Sequence, residues 1–337
     1  MARHPWVAKA DNGVRFGVQI GAMRERTSQT NVVLHDNAME VLLEAGKVVD
    51  ALGYDGLFLH DHPSFSPDPW TGLAAMAVAT RNVTLGSIVF CVPYRHPTHV
   101  ARLVTDVDHL SNGRLMLGIG IGWHVPEFHA LGLPYESVGA RQAGLVEAVE
   151  IIRGVLGEQE LTYAGEHYSI ENVRIQPPPV QRPFVPIMIA GGGEKVTLRQ
   201  VAQYGDASNF GDLSEPQDPF ARDPRLGVEK ITERLGVLER HCEAVGRPYD
   251  EILKTHFVWW LMVAPTEAEV RAKFRHYFGD NPSPQSRGAV VGTPEQICEY
   301  FQARADAGMQ YFIYQALDGA DHETLQLVAE QVMPHIR

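Results

Sequence analysis

The sequence contains little cysteine and no long apolar segment. Its 337 residues include three cysteines, Cys91, Cys242 and Cys298, which are far apart and lack metal-ligand spacing. We therefore expect buried free thiols rather than disulfides or a metal centre. No stretch approaches the roughly 18 uninterrupted apolar residues of a membrane span, and the first residues lack the apolar core of a signal peptide. The sequence predicts a cytoplasmic enzyme without membrane contact.

Basic residues are also in the minority. Lys and Arg number 29 against 41 Asp and Glu, which gives a formal net charge of -12. Such a chain repels a phosphate backbone, so nucleic acid is not expected as a partner. A site for an anionic ligand would therefore need basic residues close to it. Hydrophobic residues make up 45% of the chain, which is enough for one large α/β domain over residues 1–337.

Apolar runs of strand length alternate with helical patterns along the chain. The predicted strands cover residues 14–20, 54–59, 83–92, 114–122, 186–190, 206–210, 254–263 and 310–315. Eight strand-helix units predict a (β/α)₈ TIM barrel with catalytic groups at the C-terminal ends of its strands. An insertion at about residues 158–185 is expected to overhang one barrel end, and a lid-like loop is expected at about 279–292.

The fifth predicted strand ends in Gly191, Gly192 and Gly193, and a helix follows directly with Lys195 in its first turn. Backbone N–H groups at a helix N-terminus, together with a nearby ammonium group, bind phosphate. A tight strand-to-helix turn that merely needs small residues is the alternative. The segment favours a phosphorylated cofactor.

The second and fourth predicted strands also end in residues suited to a ligand site. Because Gly120 and Gly122 have no side chains, the backbone there can lie close to a flat or charged ligand. A barrel corner would also favour glycine. His60 and His62 flank Asp61, and strand alternation places the two histidines on one face. A general acid or base, a metal ligand pair and a structural histidine are all compatible with this pattern. Later strand ends offer Gly, Ala and Asn, so no metal is expected.

With these residues in view, the chain resembles the luciferase-like flavin and deazaflavin oxidoreductases, the bacterial luciferase family, in its F420-dependent branch. The matching segments are DHPSFSPDPWTGLAAMA, RHPTHVARLVTDVDHLSNGRLMLGIGIGW, EAVEIIRGVL and PIMIAGGGEKVTLRQVAQYGDASN. The resemblance extends over nearly the whole chain. It implies a TIM barrel that holds FMN or coenzyme F420 at its C-terminal mouth, with the phosphate on the glycine turn after strand five.

The resemblance also implies roles for individual residues. Asp61 and His62 match the Asp-His pair that deazaflavin members place beside the ring, and His62 is the expected catalytic group. Gly120 and Gly122 match the glycines at which the backbone of family members comes close to the cofactor ring. Related members carry a non-prolyl cis peptide that presses a bulge against the ring, and this bond is expected between Ile88 and Val89.

One departure from the family pattern concerns the substrate. Trp123 stands where the sugar-phosphate dehydrogenase branch has an acidic residue, which argues against a sugar phosphate. Together with Phe90, Tyr94, Trp259 and Trp260, it predicts a pocket for a small apolar or aromatic substrate, although large apolar residues at strand ends often belong to the core. The predicted function is hydride transfer between F420 or FMN and such a substrate.

Other functions remain open at this point. The close alternative is an FMNH₂-dependent monooxygenase fed by a separate reductase; a metal-dependent hydrolase or a non-catalytic binding protein would be different classes. F420 is favoured over FMN because Asp61 and His62 match the pair of the deazaflavin members and because its polyanionic tail could meet a basic rim of Lys195, Arg199, Arg174 and Arg182. The resemblance further implies a homodimer.

Overall fold

Eight parallel strands close into a barrel in the structure, a computed structural model that describes residues 3–26, 32–212, 218–280 and 284–337. Neighbours along the chain pair with each other, and the eighth strand pairs with the first, so the predicted (β/α)₈ barrel is confirmed. The strands are β1 (Arg15–Ile20), β2 (Gly56–Leu59), β3 (Thr84–Ser87), β4 (Leu115–Gly120), β5 (Ile187–Ala190), β6 (Ala207–Gly211), β7 (Leu253–Val258) and β8 (Tyr311–Ala316).

Helices cover the outside of the barrel. The helices of the eight repeating units are α1 (Ala38–Ala51), α2 (Pro69–Ala79), α3 (Pro97–Ser111), α4 (Val138–Val155), α5 (Thr197–Tyr204), α6 (Val228–Val245), α7 (Pro294–Asp306) and α8 (His322–Leu327). Further helices span Pro5–Ala8, Val125–Ala130 and Glu267–Phe278. No helix in the described ranges is long and apolar enough to cross a membrane.

The core has two layers because successive strand residues point to opposite faces. Val18 packs outward with the helices, whereas Phe58 and Tyr311 fill the barrel interior. These rings explain nearby glycines: a Cβ on Gly56 would come within 2.1 Å of the Tyr311 hydroxyl, and one on Gly17 within 2.6 Å of the Phe58 ring. The interior is therefore packed below the mouth.

Two predicted strands are interrupted. The third ends at Ser87, and the cis peptide predicted between Ile88 and Val89 is present; a short strand, Phe90–Cys91, then pairs again with β4. The seventh was predicted to run to residue 263 but leaves the barrel after Val258. Trp260 has a φ of 42°, and Leu261–Val263 then pairs with Val290–Gly292 in a separate sheet.

The insertion predicted at about residues 158–185 begins with a hairpin that packs against α4 on the flank of the barrel. Its hairpin joins Leu161–Ala164 to Ser169–Val173. The Glu147 carboxylate of α4 accepts hydrogen bonds from the backbone N–H groups at the hairpin turn, which are those of Glu166, His167 and Tyr168. A helix side chain thus holds the hairpin against α4.

Two loops contain more regular structure than the sequence predicted. Met23–Arg26 and Val32–Leu34 form an antiparallel pair in the expected polar loop after β1, whose residues 27–31 lie outside the described ranges. The predicted lid-like loop includes a 3₁₀ turn at Pro284–Gly288 and the strand Val290–Gly292; its residues 281–283 are not described.

Candidate active site

Neutral polar side chains form the floor of the barrel mouth. The Gln19 amide donates to the Ile88 carbonyl at 2.5 Å, and the Gln315 amide lies 3.4 Å from Nδ1 of His60. Burial, reinforced by neighbouring His62, lowers the pKa of His60 to about 4, so its ring is neutral. The Gln315 Oε1 atom is buried and finds no hydrogen-bond partner among the described residues. The floor therefore presents a spare acceptor.

The glycines of β4 make room for the bulge at Val89. A Cβ on Gly120 would lie 2.8 Å from Cγ2 of Val89, and one on Gly118 would lie 2.1 Å from the Ser87 carbonyl oxygen. Gly122 has a φ of 74°, and a Cβ added to it would lie 2.6 Å from the sulfur of Cys91. These glycines are thus required by packing within the chain. A flat ligand at the mouth would meet the Val89 bulge in front of them.

A buried carboxylate holds His62 in place. Glu127, whose side chain is 0% exposed, lies with Oε2 2.8 Å from His62 Nδ1. Its oxygens also accept from the Ser64 N–H at 3.0 Å, the Ser64 hydroxyl at 2.6 Å and the Tyr94 hydroxyl at 2.8 Å. Burial alone would raise the pKa of Glu127, but the hydrogen bonds from His62, Ser64 and Tyr94 outweigh it and lower the pKa to about 2.

The hydrogen bond to Glu127 determines which nitrogen of the His62 ring carries the hydrogen. An ionised carboxylate only accepts hydrogen bonds, so Nδ1 of His62 must carry the hydrogen and Nε2 of the neutral ring keeps a lone pair. The ring stacks on Phe65 at 4.5 Å and meets the edge of Trp123 at 5.7 Å. Its side chain remains 19% exposed. His62 therefore offers one oriented proton acceptor at the mouth.

Asp61 faces away from His62 and has other partners. Its buried carboxylate accepts from the Cys91 N–H at 3.0 Å and from Arg95 at 2.7 Å, and Arg95 also pairs with Asp68. Burial raises the pKa of Asp61, and the guanidinium opposes that rise. The contact with Cys91 ties the end of β2 to the backbone just after the bulge. Asp61 thus supports the shape of the site.

Trp123 and Phe90, which were both predicted to line the substrate pocket, differ in their exposure to solvent. Trp123 is 60% exposed, and its ring lies 6.3 Å from that of Trp259, which is 42% exposed. Phe90 is instead buried and stacks on Trp70 of α2 at 4.0 Å. The structure places Phe90 in the core between barrel and helices, so the aromatic wall of the mouth consists of Trp123 and Trp259, both of which were predicted as pocket residues.

The turn after β5 has the features of a phosphate site. Gly191 has a φ of 126°, which L-residues rarely adopt, and no side chain in the described residues caps the N-terminus of α5. Lys195 is exposed beside it. The Glu194 carboxylate, which would repel phosphate, is paired with Arg234 of α6 instead. Backbone N–H groups and one ammonium group are left for an anion.

The predicted basic rim is only partly present. Arg174 donates to the Gly157 carbonyl beyond the C-terminal end of α4, and Arg182 donates to the Pro179 carbonyl. Gln181, next to Arg182, bonds the carbonyl of Leu115, the first residue of β4. Both arginines therefore lie at the N-terminal end of the barrel, and their inclusion in the rim was wrong. Lys195 and Arg199 remain near the turn.

Comparisons with known proteins agree with this geometry. A family profile described as luciferase-like monooxygenase matches residues 14–288. The 4-hydroxyprotoasukamycin monooxygenase of Streptomyces nodosus subsp. asukaensis is 24% identical over 309 residues, which cover 84% of this chain and 82% of the relative. The F420-dependent glucose-6-phosphate dehydrogenase of Microbacterium testaceum is 26% identical over 331 residues, which cover 88% of this chain and 93% of the relative.

A solved structure with the same fold is the oxygenating constituent of 3,6-diketocamphane monooxygenase from Pseudomonas putida, a type II Baeyer-Villiger monooxygenase in complex with FMN. It matches with a TM-score of 0.74 at 16% identity, over 96% of this chain and 99% of that one.

Proposed function

The chain belongs to the luciferase-like monooxygenase family, and on that basis we propose that it is an oxidoreductase that moves a hydride between F420 or FMN and a small organic substrate. The F420-dependent relative and the FMN-bound structural neighbour support these two cofactors. The observation that carries the proposal is the His62–Glu127 pair at the mouth. We further propose that the protein acts in the cytoplasm as a homodimer.

The residues present fit a flavin-type cofactor. The N-terminus of α5, which no described side chain caps, and Lys195 suit its phosphate, and the Val89 bulge gives an apolar surface against a flat ring. Oε1 of Gln315, which has no partner in the described part of the chain, can accept a hydrogen bond from a ring N–H. When bound, the cofactor supplies reversible two-electron chemistry, which the side chains of this site cannot supply themselves.

His62 would move the proton that accompanies hydride transfer. An alcohol carbon that loses a hydride becomes a carbonyl carbon, so its hydroxyl oxygen must lose a proton. Nε2 of His62 accepts that proton, and the ionised Glu127 stabilises the imidazolium that forms. In the reverse direction the imidazolium returns the proton to the carbonyl oxygen. A substrate that interconverts alcohol and carbonyl therefore suits the site.

The aromatic wall selects the body of the substrate. Trp123 and Trp259 expose large ring faces at the mouth and offer no charge. Such surfaces favour apolar or aromatic groups over a phosphorylated sugar. The substrate that we propose is a small alcohol or carbonyl compound with an apolar or aromatic body.

The second candidate is an FMNH₂-dependent monooxygenase, for which a separate reductase would supply the electrons. The shielding of His62 by Phe65 and Trp123 favours it, because reactions with oxygen on a reduced flavin benefit from a site that excludes water. The relative named as a monooxygenase supports this candidate as well.

Cofactor titration followed by turnover tests both candidates. The purified protein is titrated with F420 and with FMN while fluorescence is followed, and a panel of apolar alcohols and ketones is then assayed with and without oxygen. Anaerobic turnover supports hydride transfer, and a strict requirement for oxygen supports the monooxygenase. If neither cofactor binds at micromolar concentration, both proposals fail.

A further inference from the structure

His62 and Glu127 share a third neighbour, His124. The Nδ1 atom of His124 lies 3.8 Å from Oε2 of Glu127, which in turn lies 2.8 Å from Nδ1 of His62. One ligand atom from each residue falls within 4.8 Å of the others, and no second cluster of this kind occurs in the described part of the chain. Nδ1 of His124 is buried and has no hydrogen-bond partner among the described residues.

We propose that His62, His124 and Glu127 form a binding site for a zinc ion. Zinc takes histidine nitrogen and carboxylate oxygen at about 2.0–2.2 Å, which places tetrahedral ligands about 3.3 Å apart. The two distances to the Glu127 oxygen, 2.8 and 3.8 Å, bracket that value. Two histidines and one glutamate also form a ligand set that leaves the fourth position for water. Small side-chain shifts would complete the site.

Neighbouring groups already hold the ligands in place. Ser64 and Tyr94 bond the Glu127 carboxylate, and Phe65 stacks on the His62 ring. Such outer contacts orient metal ligands and strengthen binding. The His62 and His124 side chains are 19% and 28% exposed, so both rings border the mouth, where an ion would enter.

Zinc would switch the tautomer of His62. An ion on Nδ1 displaces the hydrogen that now bonds Glu127, and the neutral ring then carries its hydrogen on Nε2. That nitrogen can no longer accept a proton. Zinc should therefore inhibit turnover, a consequence that rests on the proposed function of His62, whereas zinc binding itself does not.

The binding test uses the full chain without cofactor. Protein freed of metal with a chelator is titrated with zinc chloride by calorimetry and in competition with a chromophoric chelator. We expect one ion per chain, bound at micromolar concentration or tighter, and at least a tenfold loss of affinity in His124→Ala. The matched control is His129→Ala, which replaces an exposed histidine in the helix Val125–Ala130 directly after His124 and should bind zinc as the wild type does.

Two further measurements make the outcome decisive. His124→Asn keeps a polar side chain of similar reach, and thermal unfolding shows whether either variant remains folded. Cobalt should give the intense visible absorption of a tetrahedral site in the wild type and lose it in both His124 variants. Absence of stoichiometric binding, or equal binding by wild type and a folded His124 variant, overturns the site. Binding without inhibition would instead contradict the proton role of His62.

Discussion

Nδ1 of His62 lies 2.8 Å from Oε2 of Glu127, although 65 positions separate the two residues in the chain. The histidine follows β2, and the glutamate lies in the helix Val125–Ala130 that follows β4. The loops after β2 and β4, two strands that β3 separates in the barrel, therefore build one unit. The unit contains a fixed negative charge, an oriented imidazole and one ring nitrogen that faces the mouth.

Replacing His62 tests the proton transfer. In His62→Ala we expect kcat to fall by roughly 10² or more, because no other group replaces the base, while cofactor affinity stays nearly unchanged. Steady-state kinetics and fluorescence titration of the cofactor measure the two effects separately. If the variant unfolds or loses the cofactor, His62 has a structural role.

Glu127 should make stability depend on pH. Its pKa is about 2 in the fold against 4.5 for an ordinary glutamate, so its stabilising contribution is complete above pH 4.5 and is lost as the pH falls to about 2. The difference corresponds to roughly 3 kcal/mol. Urea unfolding at pH 6, 4 and 3 should show more than half of this loss by pH 3 in the wild type and a smaller loss in Glu127→Gln. Parallel pH curves for the two chains would contradict the assignment.

The strand order could be predicted because each barrel strand is buried on both faces and forms an apolar run between turns. The same property concealed the break at Trp260. An apolar run does not show where the chain leaves the barrel, so β7 and the separate strand Leu261–Val263 were merged. The bulge at Val89 was predicted from the family resemblance, since the run from residue 83 to 92 contains no turn residue at that point.

The site was only partly predictable for a related reason. His62 stands directly after a strand, where function is expected in a barrel, but Glu127 belongs to another unit and contacts it only in the folded chain. A weak signal existed: Pro126 and Glu127 open a short helix soon after Gly122, and an acidic residue in a first helical turn is common for structural reasons alone. Sequence cannot separate these explanations without the distance to His62.

The phosphate turn can be tested at Gly191. Alanine would strain a backbone with φ 126° and would bring a Cβ within 3.1 Å of Thr197, so the turn must shift. We expect cofactor binding to weaken at least tenfold in Gly191→Ala. Gly132→Ala is the control, because Gly132 also has a positive φ, 70°, but faces open space in a loop after the short helix. Equal losses in both variants would point to general destabilisation.

Trp123 should govern substrate affinity. Its 60% exposed ring can cover an apolar substrate, so Trp123→Ala should raise KM about tenfold while leaving cofactor affinity nearly unchanged. Trp259→Ala should act in the same direction. Leu131→Ala, an exposed apolar residue outside the aromatic wall, serves as the control. An unchanged KM in both tryptophan variants would exclude the wall from substrate binding.

The final prediction compares two basic residues at opposite ends of the barrel. Lys195 adjoins the glycine turn, whereas Arg182 lies beside the start of β4, so only the first can attract the cofactor phosphate. Lys195→Ala should weaken F420 and FMN binding roughly fivefold to tenfold and reduce its dependence on salt. Arg182→Ala should change neither. The size of the effect separates the cofactors: F420 carries further negative charges beyond the phosphate, so its binding should respond more strongly to salt than that of FMN. Titrations at two salt concentrations measure both quantities, and equal effects of the two variants would disprove the placement of the phosphate at this turn.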